Sequence, residues 1–221
     1  MTAGGGVESL YPFLYGGGPG AAVLDDIERS TAEKLTESAA LRQACLDRYA
    51  EQLTGCAAAL ARSFAAGGRL LAFGNGGSST DAADLATLFL NPGAPHRPLP
   101  ALSLTSDIAL VTALGNDVGF DVVFARQIAV LGRPGDVAVG LSTSGNSANA
   151  VRAFAEATSG GLLTVGFAGH DGGQFAQLES LDYLFVVPSP SVHRIQESQA
   201  TLYHALWSLT QDALEEVAPR T

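Results

Sequence analysis

After Gly68, short apolar runs alternate with Gly/Ser loops and longer helix-like segments, which leaves few possible folds. Runs such as VAVGL and LLTVGF are apolar on both faces, as is typical of strands covered by helices on both sides. Strands and helices that alternate in this way predict βα units and a parallel sheet. The predicted strands are residues 69–73, 101–103, 137–141, 162–167 and 183–187.

We therefore predict a doubly wound α/β protein with five, mostly parallel strands flanked by helices. Apolar residues at three- and four-residue spacing predict helices between the strands and after the last one. The expected helices are residues 79–90, 108–114, 121–130, 147–158, 174–176 and 192–216.

A helical region precedes the sheet in the sequence. Apolar residues recur at helical spacing from Ala22 to about Ala66, which predicts an amphipathic region of two helices that ends at Gly67 and Gly68. Residues 1–21 are rich in glycine and are expected to form a flexible arm, either disordered or docked on a neighbouring subunit. No linker divides residues 22–221, so we predict one domain there.

Composition excludes several functions. The chain has 221 residues, a net charge of −10 and a pI near 4.7, and such an acidic chain offers no basic face for nucleic acid. The two cysteines, Cys45 and Cys56, form no metal-binding pair and no disulfide framework. No apolar run is long enough to cross a membrane, and the first residues do not resemble a signal peptide, so the cytoplasm is expected.

Two loops rich in glycine and hydroxyl groups each follow a predicted strand. Residues 74–80 follow the first strand and residues 142–147 follow the third. Ligands of open parallel sheets bind beyond the carboxyl ends of the strands. Glycines let a backbone approach a ligand, helix N-termini attract anions, and clustered hydroxyls donate to phosphate oxygens. Neither loop has the spacing of the common nucleotide motifs, and either loop alone could be a plain helix N-cap, but together at matching strand ends they favour a phosphate site.

The order and spacing of five segments resemble the phosphoheptose (sedoheptulose 7-phosphate) isomerases of the sugar isomerase (SIS) family. These segments are GNGGSSTDA, LTSDIALVTALGND, LGRPGDVAVGLSTSGNS, TVGFAGHDGG and RIQESQATLYH. The resemblance implies the SIS fold and a homotetramer with active sites between subunits. It also implies a phosphorylated sugar of the heptose 7-phosphate class as the ligand, while the acidic composition and the lack of a long apolar run argue against nucleic acid and a membrane as partners.

The resemblance assigns the two loops residue by residue. It implies a set of hydroxyls that hold the phosphate: Ser142, Thr143, Ser144 and Ser147. It implies that part of the other loop shapes the floor beneath the sugar: Asn75, Gly76 and Ser78. Asp117 would lie near the sugar, or would only stabilise its own turn.

Aldose–ketose isomerisation needs a base near two neighbouring carbons and a second group that serves their oxygens. In the relatives these are a glutamate and a later histidine. The histidine is present as His204, eight residues after Gln196, so both side chains face one side of the last helix. Leu88 stands at the position of the glutamate, and Asp84, one turn earlier, stands where relatives carry a histidine.

Two interpretations of this departure remain open. In the first, the protein is an isomerase in which Asp84 acts as the base, or binds zinc weakly together with Gln196 and His204. In the second, the pocket binds a phosphosugar without turnover, the protein is a regulatory or assembly module, and Asp84 is a solvated carboxylate.

Overall fold

Five parallel strands form one sheet, and numbered along the chain they lie across it in the order second, first, third, fourth, fifth. The computed structural model describes residues 21–217, with side chains from residue 25 onwards. All four strand pairings are parallel, which confirms the predicted α/β fold. The strands are β1 (Leu70–Gly74), β2 (Ala101–Ser103), β3 (Val137–Leu141), β4 (Leu163–Gly169) and β5 (Tyr183–Val187).

Helices connect the strands and flank the sheet. The α-helices are α1 (Ala21–Ala65), α2 (Gly77–Leu90), α3 (Ile108–Asp117), α4 (Val123–Leu131), α5 (Ala148–Ser159) and α6 (Val192–Val217). Two 3₁₀ turns, Phe120–Val122 and Gly173–Gln177, complete the described elements. Most predicted boundaries agree with these to within one or two residues, which is the usual precision at frayed ends.

The sheet is buried on both faces. Every residue of β1 and β3 is buried, and one apolar cluster lies on each side of the sheet. One cluster packs the sheet against buried residues of α1, α2 and α6, and the other packs it against α4 and α5. This two-sided burial explains why apolar residues dominate both faces of the strands.

The structure corrects three predicted helices. The region expected to form two helices is the single helix α1, because its buried residues form an unbroken stripe through Cys45, Leu53 and Leu60. Residues 121–130 divide into a 3₁₀ turn and α4, and residues 174–176 lie in a 3₁₀ turn rather than an α-helix. Short connections of this kind leave too few residues for a regular helix.

The chain divides into two units, Met1–Ala40 and Leu41–Thr221. In the first unit the structure describes the helical residues 21–40, and the second contains the whole sheet. The expected arm lies outside the described residues, except that Ala21 begins α1. The single domain over residues 22–221 stays a prediction. Within residues 21–217, no helix is both long enough and apolar enough to cross a membrane.

Candidate functional site

The two loops predicted to bind phosphate begin side by side. Strands β1 and β3 are neighbours, and their last residues, Gly74 and Leu141, are paired in the sheet. The glycine-rich loop (residues 74–80) runs into α2, whose first turn takes in residues 77–80, and the serine loop (residues 142–147) leads into α5. Both loops therefore lie at the carboxyl edge of the sheet, where ligands of this architecture bind.

The serine loop folds around the hydroxyl of Ser142. This residue is 4% exposed, and its Oγ accepts a hydrogen bond of 3.1 Å from the backbone N–H of Gly145. The same oxygen lies 3.1 Å from Oγ of Ser147 and 3.5 Å from Oγ of Ser144. Three hydroxyls thus converge above the first turn of α5, which no side chain caps at Ser147. This arrangement presents donors and a helix N-terminus to an anion.

Contacts with the segment after β4 support the serine loop from one side. Gly145 has φ +66°, and a Cβ there would lie 2.0 Å from the carbonyl oxygen of Gly172. Oδ1 of Asn146 accepts a 3.0 Å hydrogen bond from the backbone N–H of Gln174. Only glycine fits at position 145, so the shape of the loop depends on this close backbone packing.

A pair of amides ties the glycine-rich loop to α5. Nδ2 of Asn75 donates to Oδ1 of Asn149 at 2.8 Å, and Nδ2 of Asn149 donates back to Oδ1 of Asn75 at 2.9 Å. Ser78 is buried, whereas Gly76 is exposed and has φ +54° with open space around it. Of the three residues predicted to form the floor beneath the sugar, Asn75 therefore links the loop to α5, Ser78 buries its hydroxyl, and Gly76 has open space beside its backbone.

The first turns of α2 and α6 meet beside the glycine-rich loop. Nε2 of Gln196 donates to Oδ2 of Asp81 at 2.9 Å, and a Cβ at Gly77 would lie 2.4 Å from that nitrogen. Burial raises the pKa of Asp81; the Gln196 hydrogen bond opposes the rise, and nearby Asp84 adds to it. A cavity of about 450 Å³ opens here, lined by Gly77, Thr80, Asp81, His193, Gln196, Glu197 and Ala200.

Further along the same two helices, one carboxylate meets two aromatic side chains. The hydroxyl of Tyr203 donates to Oδ2 of Asp84 at 2.7 Å, and Nε2 of His204 lies 3.6 Å from the same oxygen. The rings of Tyr203 and His204 are stacked, with centroids 5.2 Å apart. Tyr203 is buried, whereas Asp84 and His204 are about half exposed. The structure thus brings together the two residues that the sequence suggested for proton transfer.

Comparisons with known proteins agree with this architecture. The family model described as SIS domain matches residues 35–169. The phosphoheptose isomerase of Aquifex aeolicus is 42% identical over 181 residues, which cover 81% of this chain and 94% of that protein. This chain belongs to the SIS-domain family.

Two further relatives of this SIS-domain protein are also phosphoheptose isomerases. The phosphoheptose isomerase of Solidesulfovibrio magneticus is 44% identical over 189 residues, covering 85% of this chain and 91% of the relative. The structure of the phosphoheptose isomerase from Neisseria gonorrhoeae superposes with a TM-score of 0.77 at 37% identity, covering 84% and 99% of the two chains. The resemblance to this branch of the family, expected from the sequence segments, is confirmed.

The described residues of this SIS-domain protein do not assemble the three-ligand zinc set that the sequence suggested. Among residues 25–217, no group of three or more His, Cys, Asp or Glu side chains is placed to hold a metal ion. Gln196, expected beside Asp84 and His204, instead donates to Asp81. One carboxylate and one imidazole fall short of the three or four protein ligands of a zinc centre.

Two other residues singled out in the sequence lie apart from these contacts. Asp117 is the last residue of α3 rather than part of a turn; it is exposed and accepts a 2.6 Å hydrogen bond from Nδ2 of Asn116. Leu88 is half-buried on α2 and packs against the apolar core.

Sequence reasoning missed four residues of this SIS-domain site: Asp81, Asn149, His193 and Tyr203. Asp81 lies within the GNGGSSTDA segment, and Tyr203 directly precedes His204, so both were inside recognised motifs. Asp81, Asn149 and Tyr203 contact partners more than 70 residues away, for which the linear pattern carries no signal.

Proposed function

We propose that this protein is a phosphosugar isomerase that interconverts a ketose phosphate and an aldose phosphate, of the sedoheptulose 7-phosphate isomerase type. The observation that carries the proposal is the hydroxyl cluster of the serine loop at the start of α5, on the same edge of the sheet where α2 and α6 begin. The phosphoheptose isomerases to which the chain is 37–47% identical support the same reaction.

In the proposed complex, the phosphate binds to hydroxyl and backbone groups of the serine loop. Ser142, Thr143, Ser144 and Ser147 supply the side-chain donors, and the positive end of the α5 dipole faces the anion. Hydroxyl groups satisfy phosphate oxygens without a lysine. Such a site binds the end of the sugar away from the reacting carbons and uses that binding energy to position them.

The proposed chemistry uses Asp84 as the base and His204 as the group that serves the sugar oxygens. The base removes a proton from the carbon beside the carbonyl, and the carbonyl oxygen gains a proton as the enediol forms. A proton then returns to the former carbonyl carbon, and the oxygen on the carbon that was first deprotonated loses its proton and becomes the new carbonyl, which completes the isomerisation. Atoms and electrons balance within the sugar, so the reaction needs no oxidant or reductant.

We propose that Leu88 takes the position of the family glutamate and contributes packing instead of proton transfer. Leu88 is partly buried against the core, where its side chain adds apolar contacts. Asp84 lies one helical turn earlier, and its carboxylate is the one bonded to the α6 residues. The proton-transfer role thus moves along α2 by about one turn, or roughly 5 Å.

We also propose a homotetramer in which a neighbouring subunit helps to enclose the site. Helix α3 is strongly apolar, yet none of its residues is buried, and exposed apolar side chains continue around it: Ile108, Val118, Phe120 and Val130. Exposed apolar patches of this kind mark association surfaces. Sedimentation velocity of the purified protein should give a tetramer, and a stable monomer at micromolar concentration would contradict the proposal.

The direct test is a proton NMR time course with sedoheptulose 7-phosphate in deuterated water, with and without added zinc. We expect solvent deuterium to enter C2 as the aldose phosphate appears, because the enediol exchanges its proton with the base. The rate should not depend on zinc, since the donor set does not fit that ion. Saturable thermal stabilisation by the sugar phosphate without any exchange would instead indicate a binding module.

A further inference from the structure

We infer that Tyr203 is a positioning residue for isomerisation: its hydroxyl holds Asp84 while its ring holds His204. This inference rests on the proposed function, since it assigns a role within the same reaction. It goes beyond the resemblance, which implied no role for position 203.

Tyr203 is a rigid donor because it is fixed by the core. The residue is 2% exposed, and its ring meets the ring of Phe167 on β4 edge-on, with centroids 6.5 Å apart. A buried aromatic ring has little rotamer freedom, so its hydroxyl marks a fixed point between α6 and α2. Asp84, by contrast, has a side chain that is 56% exposed and could otherwise sample several rotamers.

The hydrogen bond selects one orientation of the carboxylate. Tyr203 donates to Oδ2 of Asp84 at 2.7 Å, which is short enough for a bond assisted by the charge of the acceptor. Nε2 of His204 approaches that same oxygen at 3.6 Å. Among the hydrogen bonds of residues 25–217 that involve Asp84, none uses Oδ1. Oδ2 is therefore held by the protein, and Oδ1 is the oxygen left for a proton of the substrate.

The ring of Tyr203 also orients the imidazole. The two rings stack at an interplanar angle of 27°, with their centroids 5.2 Å apart. The side chain of His204 is about half exposed, so its contact with the ring of Tyr203 is what restricts the orientation of the imidazole. One buried side chain thus sets the relative geometry of the base and its partner, and small errors in such geometry have large effects on rate.

Tyr203→Phe tests the role, because it removes only the hydroxyl and keeps the ring. We expect kcat to fall about tenfold while KM stays within about twofold, since phosphate binding at the serine loop is untouched. The matched control is Tyr49→Phe. Tyr49 is also a buried tyrosine, 7% exposed, and its hydroxyl bonds to the backbone of Val186, so this variant should keep the wild-type kcat.

A double-mutant cycle with Asp84→Asn separates positioning from general stability. If Tyr203 acts through Asp84, the loss caused by Tyr203→Phe should largely disappear in the Asp84→Asn background, measured as residual deuterium exchange. An unchanged kcat in Tyr203→Phe, or an equal loss in both backgrounds, would overturn the positioning role alone. A wild-type protein without any turnover would overturn the proposed function, and this role with it.

Discussion

Replacing Ser142 and Ser144 together with alanine is expected to lower kcat/KM for the sugar phosphate by about 10²–10⁴-fold. Each hydroxyl bonded to a charged phosphate is worth about 1.5–3 kcal/mol, so two together supply about 3–6 kcal/mol. Ser142 has a second role, because its Oγ accepts the N–H of Gly145 and is hydrogen-bonded to Ser147. The change therefore removes donors and also loosens the loop that presents the remaining ones.

Thermal unfolding with and without sugar phosphate measures this effect independently of turnover. The wild type should be stabilised in a concentration-dependent way, and the double variant should lose that shift. Ser159→Ala is the matched control, because this hydroxyl lies at the opposite end of α5 and bonds only locally to the carbonyl of Ala155. If the Ser142/Ser144 double variant kept the full ligand-induced shift, the phosphate would have to bind elsewhere.

Asp84→Ala and His204→Ala should each slow isomerisation by about 10²–10⁴-fold, the range typical of a positioned acid or base. Both side chains are about half exposed, so loss of their own contacts should change the free energy of unfolding little, but Asp84→Ala also leaves the hydroxyl of buried Tyr203 without its acceptor and should cost about 1–3 kcal/mol. Their partner Tyr203 stays buried in both variants. The rate of deuterium incorporation at C2 measures this loss of activity. Ligand-induced thermal stabilisation of the same variants should persist, because the serine loop is intact.

Asp212→Ala controls for the simple loss of a charge, since Asp212 is an exposed carboxylate on α6, two turns beyond His204. It should exchange deuterium at the wild-type rate. The proposed mechanism would be wrong if both site variants retained that rate. If only the Asp84 variant kept the wild-type rate, a different carboxylate would have to be the base. The next candidate is Asp81, which lines the cavity at the start of α2.

Much of the fold could be predicted because its signals are local. A strand buried on both faces is largely apolar, and the runs at β3 and β5 have the boundaries read from the sequence. The serine loop could also be predicted, since its hydroxyls are close together in the chain and therefore lie close together where the strand ends. Helix α1 was misread as two helices because the continuity of its buried stripe is set by the elements that cover it.

The sequence by itself determined the parallel sheet, the serine loop and the family, because each depends on residues that are close together or on an order of motifs. Only the tertiary structure decided which side chains meet. Asn75 pairs with Asn149 across 74 residues, and Tyr203 reaches Asp84 across 119. The side chain of Gln196 donates a hydrogen bond to Asp81, although it was expected beside Asp84 and His204. Side chains on one helix face share a direction, but their partners depend on how neighbouring helices pack, and helical spacing along a sequence does not specify that packing.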